Sequence, residues 1–192
     1  MNRYNPDFHH RRSIRLKGYD YSLEGLYFIT ICCQNRICRF GTIENGKMVL
    51  NEYGIIAHNE WVNTPKIRPN VELGEFIIMP NHIHGIIAIT DRPPIRWGEL
   101  HSPQPGVGNT DECNRGECNS PLRSPSQTVG AIVRGYKSSV TKQLGVLGFN
   151  EKLWQRNYYE HIIRNDQSFH NITEYIIINP LKWDNDTFNP LN

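Results

Sequence analysis

The sequence predicts an α+β protein, because segments typical of strands alternate with segments typical of helices along one chain. Runs rich in β-branched and aromatic residues stand before, between and after stretches whose apolar residues recur at helical spacing. The longest apolar run, residues 75–90, contains two histidines one residue apart. The predicted order of elements is strand, helix, two strands, helix, strand and a final helix.

Residues that start or stop regular structure bound each predicted element. Asn51 is suited to cap the first helix, and Pro65 stops it. Ser126 or Thr128 can cap the second helix, and Gly145 ends it. The predicted strands are residues 26–33, 71–79, 82–90 and 153–163, and the final helix runs from Asn165 to the neighbourhood of Asn179.

Two dipeptides predict sharp changes of chain direction. Asn45-Gly46 marks a turn between the first strand and the first helix. Pro80-Asn81 interrupts the long apolar run, and proline cannot donate a hydrogen bond to a sheet. We therefore expect two paired strands at the centre of the sheet, meeting just before His82.

Length and composition are those of a single globular domain. The chain has 192 residues, of which 38% are hydrophobic and 21% charged. No apolar run approaches the ~18 residues that would span a bilayer, and the first residues lack the apolar core of a signal peptide. Five cysteines are an odd number in a chain without an export signal, which argues against a disulfide framework and favours a cytoplasmic protein.

Two segments differ in composition from the rest of the domain. An amino-terminal arm, about residues 1–24, carries a basic run that can contact a phosphate backbone or form a solvated tail. An insertion, about residues 91–127, holds six of the twelve prolines and shows no strand or helix period. Cys113 and Cys118 within it lack a second Cys or His pair nearby, so they are a weak indication of a metal site.

The two histidines of the longest apolar run are the strongest candidates for chemistry. Side chains alternate across a strand, so His82 and His84 point to one face while Ile83 points to the other. A single buried histidine is commonly structural, but burying two without partners would cost a few kcal/mol. Their spacing therefore favours a metal site or a catalytic site, whose third ligand must come from elsewhere in the chain.

A second pair of polar side chains lies on the final predicted helix. Tyr175 and Asn179 are four residues apart, which makes them neighbours on a helix surface. Pro180 discourages helical geometry at Asn179, so we expect the helix to end there. Tyr136, in contrast, falls within an apolar stripe of the preceding helix and is predicted to be a core residue.

Three motifs resemble those of a known family. They are Pro-Asn-His-Ile-His at residues 80–84, Trp-Gln-Arg-Asn-Tyr-Tyr-Glu-His at 154–161, and Glu-Tyr-Ile-Ile-Ile-Asn-Pro at 174–180. In this order they resemble the REP-associated tyrosine transposases, relatives of the single-tyrosine insertion-sequence transposases and of the wider His-hydrophobic-His endonucleases. The resemblance extends from the first strand to the end of the chain, excluding the insertion. It implies a ferredoxin-like or RNA-recognition-like antiparallel sheet with helices on one face.

The resemblance also implies a reaction and its residues. His82 and His84 would hold Mg²⁺ or Mn²⁺, with Asn179 as third ligand where related enzymes use a glutamine four residues after the tyrosine. Tyr175 would attack a phosphate of single-stranded DNA near a hairpin and form a 5′-phosphotyrosine, so that strands are cleaved and rejoined without ATP. His161 is a candidate helper in proton transfer, with a structural hydrogen bond as the favoured alternative.

Two other functions were weighed against the transposase. A histidine-triad nucleotide hydrolase would need a third alternating histidine, and position 86 is isoleucine. A non-catalytic RNA-recognition-like module would bind nucleic acid by stacking bases on sheet aromatics. A covalent adduct with DNA distinguishes the transposase from this module. The sequence leaves open whether the protein is a monomer or a homodimer.

Overall fold

The computed structural model describes residues 20–90 and 127–190. Most of the amino-terminal arm and all but the last residue of the insertion, with Cys113 and Cys118, lie outside the described residues. The three cysteines within them, Cys32, Cys33 and Cys38, are free thiols.

Six strands and four helices form the described part, and the four predicted strands and three predicted helices occur among them in the predicted order. The strands are β1 (Gly25–Cys32), β2 (Gly41–Glu44), β3 (Lys47–Leu50), β4 (Val71–Ile78), β5 (His82–Ile89) and β6 (Tyr159–Ile163). The helices are α1 (Glu52–Val62), α2 (Thr64–Ile67), α3 (Val129–Val146) and α4 (Asp166–Ile178), with 3₁₀ helices at Gln34–Arg36 and Asn179–Asn185. The α+β class is therefore confirmed.

The main sheet has four strands in the order β4-β5-β1-β6, and every neighbouring pair is antiparallel. The predicted pairing of β4 with β5 across Pro80-Asn81 is confirmed. The expectation that both strands are central is wrong for β4, which lies at an edge. The reason is that β1 pairs along the whole length of β5 on its other side, so the centre of the sheet is β5 and β1.

Helices cover both faces of this sheet. Helices α1 and α3 pack on the face that carries Tyr27, Ile29 and Ile31 of β1. Helix α4 packs on the opposite face, where Ile176 meets Phe28 and other apolar side chains. The expectation of helices on one face is thus wrong for α4. Successive side chains of β1 and β5 point to opposite faces of the sheet, and apolar side chains occur on both faces. Each face must therefore be covered.

The sequence prediction missed a second, two-stranded sheet formed by β2 and β3. Its turn is the predicted Asn45-Gly46, where both residues have positive φ, 50° and 71°. Such a dipeptide between strands favours the two-residue hairpin turn whose twist suits antiparallel pairing. The Asn45-Gly46 dipeptide therefore already indicates the hairpin.

The last strand is shorter than predicted, because residues 153–158 precede β6 in irregular conformation. Leu153 and Trp154 are nevertheless buried in the core. The Lys137 ammonium on α3 donates hydrogen bonds to the carbonyls of Gln155 and Asn157, at 2.9 and 3.0 Å. These bonds satisfy backbone groups that a strand would otherwise have paired.

Several local predictions are confirmed. The side chains of Asn51, Thr128 and Asn165 each accept a hydrogen bond from the backbone at the first turn of a helix. Tyr136 is a core residue, and its hydroxyl donates to the Ala57 carbonyl at 2.9 Å. Among the described residues, no helix has the length and apolar character needed to cross a bilayer.

The indole of Trp61 supports β5 from the face opposite the two histidines. Trp61 is 1% exposed, and its ring contacts Tyr136 edge-on at 5.1 Å between centroids. It lies directly against Gly85, where an added Cβ would collide with the ring and with Phe76. Glycine at this position therefore lets a large aromatic residue pack against the strand next to His84.

We expect Gly85→Ala to lower the free energy of unfolding by about 1–3 kcal/mol, since overpacking a filled core costs that much. Gly145→Ala is the matched control, because nothing lies within 4 Å of its added Cβ and alanine favours a helix. Urea denaturation of both variants measures the difference. A Gly85→Ala protein as stable as the Gly145→Ala protein would contradict the close packing described for Trp61.

Candidate functional site

His82 and His84 lie side by side on the face of β5 that α4 covers. Their ring centroids are 4.5 Å apart, and the two residues are 0% and 1% exposed. The predicted shared face of the two histidines is therefore seen in the structure. Two imidazoles are buried in contact with each other at the end of the sheet where β5 begins.

Neighbouring side chains fix the orientation of both imidazoles. Asn81 Oδ1 lies 2.9 Å from His82 Nδ1, and the Asn81 amide nitrogen donates to the carbonyls of Arg36 and Phe188. Because Oδ1 can only accept, His82 Nδ1 carries the proton and Nε2 carries a lone pair. Thr30 Oγ1, on β1, lies 2.8 Å from Nδ1 of His84. Such hydrogen bonds to the distant ring nitrogen are typical of histidines that bind metals.

Helix α4 brings Tyr175 and Asn179 to the same place. The Tyr175 hydroxyl lies 3.1 Å from His84 Nε2, and the nearby side chain of Asn179 acts to lower the pKa of the phenol. Helix α4 ends at Ile178, close to the predicted end, but the chain continues as a 3₁₀ helix and Asn179 keeps helical angles of −54° and −43°. The four-residue spacing of Tyr175 and Asn179 therefore holds across the end of the helix.

The four predicted site residues thus form one continuous cluster. His82 contacts His84, His84 contacts Tyr175, and Asn179 is near enough to Tyr175 to affect the pKa of the phenol. Asn179 is 2% exposed, whereas Tyr175 is 39% exposed. The tyrosine is the member of the cluster that a large molecule can reach from solvent.

Burial sets the protonation states within the cluster. It lowers the pKa of His84 to about 3. Burial also lowers the pKa of His82 well below its ordinary value, and the neighbouring His84 and Arg36 add to the effect. The pKa of Tyr175 is raised, first by burial and then by the Asp186 carboxylate, while the hydrogen bond from Asn179 opposes this. At neutral pH both imidazoles are therefore neutral and the phenol keeps its proton.

Two buried atoms of the cluster fit a metal ion. His82 Nε2 and Asn179 Oδ1 have no hydrogen-bond partner within the described part of the chain. Leaving such atoms unpaired costs about 1–3 kcal/mol each, so ligation would satisfy both. No group of three or more His, Cys, Asp or Glu side chains able to hold a metal occurs among the described residues, so an amide oxygen would have to complete the set. Of the two predicted ions, Mn²⁺ accepts imidazole nitrogens more readily than Mg²⁺.

His84 Nε2 has only one lone pair, which restricts what it can do. Nε2 lies 3.1 Å from the Tyr175 hydroxyl, and it accepts this hydrogen bond in the tautomer that could also bind a metal. The nitrogen can accept the phenolic proton or bind a metal, but it cannot do both at once. The hydrogen bond between Tyr175 and His84 must therefore be given up when a metal is bound.

The sequence prediction missed residues that enclose the site from the carboxyl-terminal segment. The Phe188 ring lies 4.5 Å from His82 between centroids, and the Trp183 ring lies 6.1 Å from it. No period or motif marks these positions, because they follow the last regular helix. Thr30 was missed for another reason: its role depends on the register between β1 and β5, which the sequence does not specify.

Comparisons with known proteins agree with this fold. The chain is 44% identical over 193 residues to an uncharacterized protein of Haemophilus influenzae (strain ATCC 51907 / DSM 11121 / KW20 / Rd), and the match covers 96% of each chain. The chain belongs to the same family as that protein. The sequence matches no family model.

Among solved structures, the fold is similar to that of a REP-associated tyrosine transposase bound to a REP hairpin. The TM-score is 0.53 at 18% identity, and the match covers 88% of this chain and 74% of the other. At this identity the similarity establishes a transposase-like fold. The expected resemblance in architecture is thus confirmed, while the roles of His82, His84, Tyr175 and Asn179 stay predictions.

The buried histidines make a prediction about stability in acid. Their pKa values are lower in the folded protein than the ordinary value near 6.5, so unfolding takes up protons below that pH. Their contribution to stability is complete above about pH 6.5 and is lost as the pH falls. Each histidine should reduce the free energy of unfolding by about 1.4 kcal/mol per pH unit below 6.5.

Urea denaturation in the presence of a chelator, between pH 7 and pH 4.5, measures this effect. His84→Gln removes one titrating ring, so its stability should fall less steeply with acid than that of the wild type. His170→Gln, at an exposed position of α4, is the control and should keep the wild-type slope. Parallel curves for the wild type and His84→Gln would show that the buried imidazole is not held neutral.

Proposed function

We propose that this protein is a metal-dependent single-strand DNA endonuclease and strand transferase of the transposase type. In this proposal Tyr175 cleaves DNA near a hairpin and forms a 5′-phosphotyrosine. The observation that carries the proposal is the contact of the Tyr175 hydroxyl with His84, 3.1 Å apart, in a cluster with two unpaired ligand atoms. The transposase-like fold and the three sequence motifs support it.

Tyr175 is suited to be the nucleophile by its position. Its exposure of 39% allows a phosphate to approach the hydroxyl, while the ring is held edge-on against Phe28 at 6.2 Å. Asn179, close by, opposes the rise in the pKa of the phenol, so it favours negative charge that develops on the oxygen. Burial alone would make the phenol a poorer nucleophile.

The phenolic proton must leave as the oxygen attacks, because the raised pKa keeps the hydroxyl protonated at neutral pH. His84 Nε2 is the acceptor within reach when it is not acting as a ligand. The low pKa of the buried ring makes His84 a weak base, so it orients the hydroxyl better than it removes the proton. Deprotonation therefore needs help from solvent or from the substrate phosphate.

The proposed reaction is a transesterification that conserves the number of phosphodiester bonds. A bond forms between the Tyr175 oxygen and phosphorus, the bond from phosphorus to the 3′ oxygen breaks, and the leaving 3′ oxygen takes up a proton and becomes a hydroxyl. A 3′-hydroxyl can later attack the phosphotyrosine and release the tyrosine, so rejoining requires no ATP. Mg²⁺ or Mn²⁺, held by His82, His84 and Asn179, would stabilise charge on the phosphate oxygens.

Single-stranded DNA is the proposed partner. The nucleophile projects from a helix that lies across a sheet, and an in-line attack requires a backbone that can bend into this site. The solved structure with a similar fold holds a REP hairpin. By analogy, a hairpin next to an unpaired strand is the substrate to test first.

The experiment is incubation of the protein with a hairpin oligonucleotide that carries a single-stranded flank, in Mn²⁺ or Mg²⁺. Tyr175→Phe keeps the ring and loses only the hydroxyl, so it should bind DNA normally and yield no denaturation-resistant adduct. Tyr53→Phe is the control, since Tyr53 packs against Phe149 in the core on the other face of the sheet and should react as the wild type does. Denaturing gel electrophoresis with labelled DNA measures the adduct.

An adduct in Tyr175→Phe would assign the nucleophile to another residue and contradict the proposal. DNA binding by the wild type without any adduct, across both metals, would instead favour the non-catalytic RNA-recognition-like module.

A further inference from the structure

The described part of the chain leaves open a portion, at strand β6, of the sheet face that holds the site. Helix α4 begins beside the end of β6, where Phe169 and Ile172 pack with Ile163. It then runs across the sheet towards β4 and β5. None of the described elements therefore covers the beginning of β6 on this face, and Tyr159 and His161 there are exposed.

Tyr159 stands in line with the site across three strands. His84 of β5 is directly opposite Thr30 of β1, and Thr30 is directly opposite Tyr159 of β6. Residues opposite one another on adjacent strands point to the same face. Because adjacent strands are about 4.8 Å apart, Tyr159 lies about 10 Å from His84 between Cα atoms.

A short series of aromatic contacts connects Tyr159 to the nucleophile. The Tyr159 ring meets Phe28 edge-on at 6.3 Å, and Phe28 stacks on His84 at 5.4 Å and contacts Tyr175 at 6.2 Å. Phe28 is 8% exposed, whereas Tyr159 is 45% exposed. One buried ring thus separates an open aromatic side chain from the proposed catalytic tyrosine.

Comparison with Tyr158 shows that the exposure of Tyr159 follows from the face of the sheet to which its side chain points. Tyr158 points to the opposite face and packs against the core beneath α1 and α3. Tyr159 contributes to neither apolar cluster among the described residues. Two basic residues, Arg156 and Arg164, are exposed before and after it along the chain. Exposed aromatic rings together with basic residues are the combination that binds single-stranded nucleic acid.

We propose that Tyr159 stacks on a base of the DNA strand that is cleaved and thereby positions the phosphate at Tyr175. This inference rests on the proposed function for the identity of the ligand, and it adds a positioning residue outside the reacting cluster. The base stacks on the open face of the Tyr159 ring, while Thr30 and Phe28 hold the distance to His84 and Tyr175. The hydroxyl of Tyr159 does not take part in the stacking.

The test uses single-stranded oligonucleotides with 2-aminopurine at successive positions, bound to protein carrying Tyr175→Phe so that no cleavage occurs. Stacking on an aromatic ring contributes enough that Tyr159→Ala should weaken binding about 5- to 150-fold. Tyr159→Phe should bind as tightly as the parent protein. Quenching of 2-aminopurine at one position should also be lost in Tyr159→Ala and kept in Tyr159→Phe.

Ile55→Ala is the matched control, because Ile55 is 50% exposed on α1, the helix that packs against the other face of the sheet. It should leave binding unchanged. If the alanine variant fails to fold, Tyr159→Thr serves in its place, since a β-branched residue suits an edge strand. Unchanged affinity in Tyr159→Ala, or a loss in Tyr159→Phe equal to that in Tyr159→Ala, would overturn the stacking role.

Failure of this inference is distinguishable from failure of the proposed function. Adduct formation by the wild-type protein together with full binding by Tyr159→Ala would refute the stacking role alone. Loss of binding in Tyr159→Ala without any adduct in the wild type would refute the catalytic proposal and keep Tyr159 as a base-stacking residue.

Discussion

The antiparallel register between β1 and β5 is the constraint on which the rest of the site depends. It sets His84 opposite Thr30 and His82 opposite Cys32, all on the face that α4 covers. A shift of one residue would move every side chain of β5 to the other face. The histidines would then point into the core beneath α1 and α3, where Trp61 fills the space against Gly85. This register also provides Thr30 as the hydrogen-bond partner of His84, while His82 is paired with Asn81, its neighbour in the chain.

Burying the polar side chains of the site lowers the stability of the fold, and this bears on their function. Two histidines, an asparagine and part of a tyrosine are packed among apolar and aromatic side chains, and two of their polar atoms have no partner in the described chain. Apolar residues of similar volume would give a more stable core. Residues that cost stability are expected at functional sites. The side chains that orient the rings, Thr30 and Asn81, are held in place in turn by the strand pairing and by backbone carbonyls.

Those parts of the structure that follow from local chemistry were predictable from the sequence. Alternation along a strand placed His82 and His84 together, and helical spacing placed Tyr175 beside Asn179. The caps at Asn51 and Asn165 followed from side chains that accept hydrogen bonds from the first turn of a helix. In each case the residues that interact are fewer than five positions apart.

The features that were missed depend on contacts between distant segments. The side of the sheet that α4 covers, the edge position of β4 and the row from His84 to Tyr159 are set by pairing between strands far apart in sequence. The segment 153–158 has the composition of a strand, but hydrogen bonds from Lys137 hold it in another conformation. Phe188 reaches His82 from beyond the last regular helix, where no pattern in the sequence predicts a position.

The central claim is that both buried imidazoles and Asn179 are ligands of a single divalent ion. Pulsed electron paramagnetic resonance of the Mn²⁺-bound protein tests it most directly, because the method counts imidazole nitrogens bound to the ion. The account predicts two such nitrogens in the wild type, one in either His82→Ala or His84→Ala, and two with weaker binding in Asn179→Ala. An exposed-site variant, His170→Ala, should keep both. Bound Mn²⁺ that shows no imidazole coupling would contradict the shared site. So would a count of one coupled imidazole nitrogen in the wild type that stays at one in a histidine variant.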